Sequence, residues 1–135
     1  MKVVLDTNSL LVSIGRKSKF RPIFNALIKN EITLLITNDI ILEYFEVIEN
    51  KTNIVVAKNV IDFLLSTPNV QKIDIHFRWS LISKDFDDNK FVDCAINGQA
   101  NYLITDDKHF KNLNEIQFPL VKIIKTKEFL MKLKR

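Results

Sequence analysis

The stretch VVLDTNSLL at residues 3–11 decides how the rest of the chain is interpreted. Three apolar residues, Val3 to Leu5, run without interruption and end at Asp6, a pattern typical of a strand that is covered on both faces. The polar residues from Thr7 to Ser9 can then cap a helix. A buried strand followed at once by an acid and a helix predicts an α/β protein with polar groups at the strand end.

Apolar runs and helical stripes alternate in the same way along the rest of the chain. This order favours a parallel sheet with helices on both faces, and no internal repeat or linker interrupts it, so we expect residues 1–135 to form a single domain. Asn38 or Asp39 is the predicted N-cap of the helix after the second strand, and Thr126 that of the last helix. The other predicted strands span residues 32–36, 73–77, 102–105 and 120–124, and the later helices span about 22–30, 38–48, 57–65, 89–100 and 126–133.

Length and composition restrict the class of protein. A chain of 135 residues with 47% hydrophobic and 27% charged residues, and only 2 Gly and 3 Pro, suits one compact core and not a disordered protein. No apolar run approaches the roughly 18 residues that a membrane-spanning helix needs. The single cysteine, Cys94, has no internal partner for a disulfide. The sequence therefore predicts a soluble, cytoplasmic protein without a membrane segment.

The formal net charge of +4 is distributed unevenly. Residues 122–135 contain six basic residues and one acid, so the rest of the chain has 14 basic and 15 acidic residues, a net charge of −1. A second basic cluster comprises Arg16, Lys17, Lys19 and Arg21. Basic patches of this kind favour contact with a nucleic acid backbone. A Lys-rich terminal helix is also commonly no more than a solvated face.

Acidic residues occur where ligands bind in open parallel sheets, beyond the carboxyl ends of the strands. Each acid alone has an ordinary explanation as a helix cap, a turn residue or a surface charge. Together they predict that four separate segments bring carboxylates to one edge of one sheet. These acids are Asp6 after the first strand, Glu43 in the helix after the second, Asp85, Asp87, Asp88 and Asp93 around the start of the helix at 89–100, and Asp106 and Asp107 after the strand at 102–105.

Clustered carboxylates repel one another, and a divalent cation placed between them relieves the repulsion. Oxygen ligands without a cluster of His or Cys suit Mg²⁺ or Mn²⁺ and not Zn²⁺. The two histidines, His76 and His109, do not have the spacing of a zinc site. A metal of this kind activates water and stabilises the leaving oxygen of a phosphodiester, so the acids predict metal-assisted phosphodiester hydrolysis.

Three segments resemble the PIN-domain family of small metal-dependent ribonucleases, which includes the VapC-type toxins of toxin-antitoxin pairs. They are VVLDTNSLL at 3–11, TNDIILEYFEVI at 37–48 and DFDDNKFVDCAINGQANYLITDDKHF at 85–110. The resemblance implies a three-layer α/β/α fold with a central, mostly parallel sheet of about five strands. It also implies an endoribonuclease that uses Mg²⁺ or Mn²⁺ to hydrolyse RNA, is neutralised by a small antitoxin protein and forms a homodimer.

The family pattern also implies roles for individual residues. The position of one family acid falls on Asn89, which carries no charge, so Asp88 is the predicted substitute, and Asp93 lies one helical turn later as a substitute or an extra ligand. The implied catalytic acids and metal ligands are Asp6, Glu43, Asp88 and Asp107, with Asp93 as a further metal ligand; the accessory residues are Asn8, Thr105 and Asp106; and the residues that hold the RNA backbone are Arg16, Lys17, Lys19 and Arg21.

Two other functions are compatible with the same residues. A phosphatase of another doubly wound fold would use Asp6 as its nucleophile. Such sites need a second Asp two residues later, where this chain has Asn8. A PIN scaffold that has lost its metal affinity would act as a binding module, and Asn89 in the place of an acid favours that alternative. Metal binding and RNA cleavage by the purified protein distinguish the nuclease from both.

Overall fold

The computed structural model describes residues 1–76, 78, 89–110 and 121–134. Its centre is a five-stranded sheet in the order β3-β2-β1-β4-β5, in which each neighbouring pair of strands is parallel. Helices cover the sheet, so the predicted three-layer α/β/α architecture is confirmed. The strands are β1 (Lys2–Leu5), β2 (Thr33–Ile36), β3 (Val70–Lys72), β4 (Tyr102–Ile104) and β5 (Ile123–Ile124); the helices are α1 (Thr7–Ile14), α2 (Arg21–Ile28), α3 (Asn38–Lys51), α4 (Ile54–Ser66), α5 (Asn89–Asn97) and α6 (Thr126–Leu133).

The strand order reverses direction at β1. The chain first adds β2 and β3 on one side of β1, and then returns to the other side to add β4 and β5. In open α/β sheets, the loops after the two strands at such a reversal separate and leave a crevice at their carboxyl ends. The candidate site is therefore expected between the ends of β1 and β4.

The predicted burial of the first strand is confirmed. Val3, Val4 and Leu5 are at most 1% exposed, because side chains on alternate faces of β1 meet a helical layer on each side. Tyr44 of α3 is also fully buried, and its hydroxyl donates a 2.5 Å hydrogen bond to the carbonyl oxygen of Leu5. This bond ties α3 to the end of the central strand.

The predicted strand at residues 73–77 was wrong, because the third strand lies earlier. β3 spans Val70–Lys72 and pairs with β2. The amide of Ile73 still donates a 2.7 Å hydrogen bond to the carbonyl of Ile36, but β2 ends at Ile36. The alternation of apolar and polar residues from residue 73 onward therefore extends past the end of β2, and no residue of β2 remains to pair with it. Residue 77 lies outside the described residues.

Two predicted helix caps were also wrong. Helix α3 is capped by Thr37, whose side chain accepts a hydrogen bond from the amide of Ile40, so the residues after Thr37 are already helical. Thr126 is the first residue of α6 and not its cap. Asp106, which follows β4, accepts hydrogen bonds from the Thr126 amide at 2.9 Å and from its hydroxyl at 2.8 Å. The capping carboxylate therefore comes from a distant part of the sequence.

In the part of the chain that the structure describes, no helix is both long enough and apolar enough to cross a membrane.

Gly98 lies directly after α5, where the backbone comes close to the sheet. A Cβ atom at this position would lie 2.6 Å from Cδ1 of Leu35, 3.0 Å from the carbonyl oxygen of Cys94 and 3.1 Å from Cδ1 of Ile73. No ordinary side chain fits at these distances without a shift of its neighbours. The absence of a side chain at residue 98 therefore sets how closely α5 approaches β2.

We expect Gly98→Ala to lower the free energy of unfolding by about 1 to 3 kcal/mol, because the added methyl group overpacks this contact. Gly15→Ala is the matched control, since its nearest atom would be the Cβ of Ser18 at 3.8 Å and its φ of −68° suits alanine. Urea unfolding monitored by circular dichroism measures both. Equal stability of the two variants would contradict the close approach at residue 98.

Candidate active site

The site begins at the carboxyl ends of β1 and β4, which are neighbours in the sheet. Leu5, the last residue of β1, is in register with Ile104, the last residue of β4. The amide of Asp6 donates a 3.0 Å hydrogen bond to the carbonyl of Ile104, so pairing extends one residue beyond the strand. The Thr105 hydroxyl then donates to Oδ2 of Asp6 at 2.7 Å. Two segments 99 residues apart in sequence thus meet through their side chains.

Asp6 caps α1 and is linked to α3 through its neighbour. Its Oδ1 atom accepts a 2.8 Å hydrogen bond from the amide of Thr7. The hydroxyl of Thr7 donates to Oε2 of Glu43, one turn into α3. Thr7 is buried, so this contact lies beneath the surface of the site. The residue next to the first acid therefore orients the second acid.

Lys90, the second residue of α5, completes the connection. Its Nζ atom lies 2.7 Å from Oε1 of Glu43. Both carboxylate oxygens of Glu43 are therefore engaged, one by an ammonium and one by the hydroxyl of Thr7. A continuous series of contacts runs from α5 through α3 and α1 to β4; its members are Lys90, Glu43, Thr7, Asp6 and Thr105.

Asp107 joins this series through Thr105. The amide of Asp107 donates a 3.0 Å hydrogen bond to the Thr105 hydroxyl oxygen, whose proton goes to Asp6. Oδ1 of Asp107 accepts a 2.8 Å hydrogen bond from the amide of His109, and Nδ1 of the same histidine lies 3.5 Å from it. Thr105 therefore holds the loops after β1 and β4 in one arrangement.

The electrostatics of the site centre on Asp6, which is only 7% exposed. Burial is the main cause that raises the pKa of Asp6 above its ordinary value, and the negative charges of Glu43 and Asp107 raise it further. The hydrogen bonds from Thr105 and Thr7 lower the pKa of the same group and offset part of this effect. Asp6 therefore carries its charge at a cost that a nearby cation would relieve.

The chemistry of the donors fits a hard divalent cation. The groups at this edge are carboxylate and hydroxyl oxygens, which are the ligands of Mg²⁺ and Mn²⁺. Within residues 1–76, 78, 89–110 and 121–134, however, no three His, Cys, Asp or Glu side chains form a group that could hold a metal. Asp88, the predicted additional ligand, lies outside these ranges, as do Asp85 and Asp87.

The remaining predicted residues at this edge differ in their surroundings. Asp93 is 3% exposed and shares the buried face of α5 with Asn89, one turn earlier. Asp106 is exposed, and both of its carboxylate oxygens accept hydrogen bonds from Thr126, so its role in this structure is to cap α6. Asn8 is exposed in the first turn of α1. The side chain that contacts Glu43 is that of its neighbour Thr7.

The basic cluster at Arg16 to Arg21 lies beyond the far end of α1. Since α1 has 8 residues, its end is about 12 Å along the helix from Asp6. Arg16, Lys17 and Lys19 are exposed. Arg21 donates to the carbonyl of Ile14 and, at 3.0 Å, to Oδ1 of Asn25, so part of its donor capacity serves the fold. The cluster is therefore separate from the acids.

A cleft of about 370 Å³ opens beside Asp107, between the ends of β4 and β5. Both basic and acidic side chains contribute to its wall. Its lining residues are Thr105, Asp106, Asp107, Lys108, Ile123, Ile124, Lys125 and Glu128. The cleft lining combines two lysines with three acids and includes one of the site acids, Asp107.

Sequence reasoning did not identify two residues of this site, Thr7 and Lys90. Thr7 lies between Asp6 and Asn8, which the family pattern emphasises, and the sequence pattern predicts only that Thr7 is at the start of a helix. Lys90 follows the acidic run in the segment DDNK, where it looks like ordinary charge balance. Its position in the first turn of a helix is the one indication of a partner. A lysine there interacts unfavourably with the helix dipole unless a nearby acid compensates its charge.

Comparisons with known proteins agree with this architecture. A family model described as a PIN domain matches residues 2–109. The crystal structure of VapBC2 from Rickettsia felis, bound to a DNA fragment from their promoter, contains a similar chain with a TM-score of 0.62 and 17% sequence identity. The similarity covers 93% of this chain and 98% of that one, and at this identity it concerns the fold alone. No curated protein sequence matches this one significantly.

We expect Asp6→Asn to raise the thermal unfolding temperature of the metal-free protein at pH 7. Because the pKa of Asp6 is raised in the folded protein, the stability linked to this group is present at low pH and is lost as the pH rises through its folded pKa. A neutral amide avoids this loss. Thermal unfolding in a chelator, from pH 7 downward, should show a difference that shrinks towards the ordinary Asp pKa of 3.8.

Asp62→Asn, on the exposed side of α4, is the control for that measurement and should follow the unmodified protein at each pH. A lower unfolding temperature for Asp6→Asn at pH 7 would mean that the hydrogen bonds from Thr7 and Thr105 outweigh the cost of burial.

Proposed function

Because the chain belongs to the PIN domain family, we propose that it is a metal-dependent endoribonuclease, the toxin of a toxin-antitoxin pair. The observation that carries this proposal is the pair of acids at the strand-order reversal. Asp6 and Asp107 follow β1 and β4, Thr105 bonds to both, and the negative charges of Glu43 and Asp107 act on the buried Asp6. A site of this kind stabilises a cation at the place where an open α/β sheet binds its ligand.

By the family pattern, Asp6, Glu43 and Asp107 would contribute ligands to Mg²⁺ or Mn²⁺, with Asp88 as the proposed fourth acid and Asp93 as the alternative on α5. The described acids do not form a three-ligand group by themselves, so the proposed centre depends on a further ligand. When bound, the metal would supply Lewis-acid stabilisation of the phosphodiester and a lower pKa for the attacking water. The chain's own residues keep the ligands in place. Thr105 orients Asp6 and the backbone of Asp107, and Thr7 orients Glu43. These fixed hydroxyl groups would reduce the reorganisation needed when substrate binds.

The substrate is proposed to be RNA, held mainly through its phosphates. The cleft beside Asp107 includes Lys108 and Lys125, which would attract the backbone close to the acids. The cluster Arg16, Lys17, Lys19 and Arg21 would contact a more distant part of the strand, since α1 separates it from Asp6. Contacts of both kinds are electrostatic and carry little sequence information.

The other candidate functions are distinguished by the surroundings of the acids. A phosphatase with Asp6 as nucleophile is disfavoured, because such a site needs a second Asp two residues later, where this chain has Asn8. A PIN scaffold that binds without cutting is the second candidate. It is favoured by the lack of a three-ligand group among the described residues and by Asn89.

We expect Asp6→Asn and Asp107→Asn each to reduce Mn²⁺-dependent cleavage of single-stranded RNA by about 100-fold or more, because each removes a proposed metal ligand. Asp106→Asn is the matched control at the same strand end. Its side chain accepts hydrogen bonds from Thr126, and an amide oxygen can still accept one, so the rate should change by less than about threefold.

The same cleavage assay assigns the fourth acid. If Asp88 is the ligand, Asp88→Asn should lose far more activity than Asp93→Asn; the reverse order would assign Asp93. Full activity of both Asp6→Asn and Asp107→Asn would refute the proposed centre. Mn²⁺ binding without any RNA cleavage by the unmodified protein would instead favour the non-cutting scaffold.

We also propose a small antitoxin protein and a second copy of this chain as partners, both in the cytoplasm. The similarity to a chain of VapBC2 supports the first. A groove of about 490 Å³ between α2 and α4 would suit an acidic segment with apolar side chains, because Arg16 and Arg21 contribute to a lining that includes Phe24 and Phe63. Exposed apolar residues on α3 and α4, Leu42 and Val55 among them, support the homodimer.

For a toxin, expression of the unmodified chain should arrest bacterial growth, whereas Asp6→Asn at equal protein levels should not. Co-expression with a cognate antitoxin should restore growth, and light scattering of the purified chain should give the mass of two copies. Normal growth at high levels of the active nuclease would contradict the toxin role and leave the nuclease activity to be judged by cleavage alone.

A further inference from the structure

Lys90 places its ammonium group next to the carboxylate of Glu43. Its Nζ atom is 2.7 Å from Oε1 of Glu43, and only 20% of the lysine side chain and 25% of the glutamate side chain are exposed. This pair is therefore more sheltered than an ordinary surface ion pair, in which both groups are mostly hydrated. The other Glu43 oxygen faces Thr7, so Oε1 is the oxygen that the ammonium controls.

The helical position of Lys90 makes this contact specific. Lys90 is the second residue of α5, and a positive charge in the first turn opposes the helix dipole. A lysine that only faced solvent in that turn would have no contact to offset this unfavourable interaction with the helix dipole. Here it compensates a site in which Asp6, Glu43 and Asp107 would otherwise carry three mutually repelling charges. The ammonium thus supplies positive charge at an acid that the proposed function assigns to a divalent ion.

We propose that Lys90 is an internal competitor of the metal: its ammonium pairs with Oε1 of Glu43 and has to be displaced from that oxygen for a metal to bind there. This inference rests on the proposed function, in which Glu43 is a metal ligand. An ammonium that stays nearby also repels the incoming ion. Lys90 therefore raises the metal concentration at which the nuclease becomes active, and it keeps the acids ordered below that concentration.

The test is a calorimetric Mn²⁺ titration of the full chain without RNA. Lys90→Gln removes the positive charge and should bind Mn²⁺ about tenfold more tightly. Lys90→Arg keeps the charge and should stay within about threefold of the unmodified protein. Lys58→Gln, on the exposed side of α4, controls for the change in net charge and should have no effect. Equal or weaker Mn²⁺ binding by Lys90→Gln would overturn the proposal.

Thermal unfolding provides a second measurement that does not depend on activity. In a chelator, Lys90→Gln should unfold at a lower temperature than the unmodified protein, because the acids lose their compensating charge. Saturating Mn²⁺ should then raise its unfolding temperature by more than it raises that of the unmodified protein. An equal rise in the two proteins would contradict competition.

A double variant excludes a purely structural effect. With Glu43→Gln already in place, the oxygen contested by the two cations has lost its charge, so Lys90→Gln should tighten Mn²⁺ binding by less than about threefold, the part due to simple repulsion between the two cations. An equal gain in both backgrounds would overturn the proposed contest for Glu43. If the unmodified protein and Asp6→Asn bind Mn²⁺ equally or not at all, the proposed metal centre is wrong as well. If binding requires Asp6 but ignores Lys90, only the competition is wrong.

Discussion

The parallel pairing of β1 with β4 is the constraint on which the rest of the site depends. The two strands are 99 residues apart in register, Leu5 with Ile104, and they become neighbours only because the chain reverses its strand order at β1. The amide of Asp6 extends this pairing by one hydrogen bond, and the Thr105 hydroxyl adds a second link to the Asp6 side chain. Without this pairing, the ends of β1 and β4 would not be adjacent, and Asp6 and Asp107 would share no position for a ligand.

Charge is the second organising feature of this edge. Asp6 is buried near like charges, and the hydroxyl of Thr105 and the backbone amide of Thr7 stabilise its carboxylate by donating to it. Lys90 supplies a positive charge from α5. Hydroxyl donors stabilise the carboxylates without occupying the space of a cation, whereas an ammonium does occupy it. The site is therefore held together by two kinds of interaction, hydrogen bonds from hydroxyl groups and an ion pair with Lys90.

Family membership and the local geometry contribute different parts of the functional argument. The match over residues 2–109 establishes the PIN domain, and a chain with 17% identity has the same fold. Neither indicates how this protein uses its own residues. The capping of α6 by Asp106 and the contact of Lys90 with Glu43 are properties of this chain, because both depend on side-chain positions that a family assignment does not describe.

The amino-acid sequence by itself determined the alternation of strands and helices, the burial of Val3 to Leu5 and the placement of acids after strands, because hydrophobic periodicity is a local property. It located β3 wrongly, since the end of a strand depends on the length of its partner. It also did not identify the contacts of Thr7 and Lys90 with Glu43. Only the tertiary structure decided these contacts, because residues distant in sequence become neighbours through strand order and helix packing, which no local pattern records.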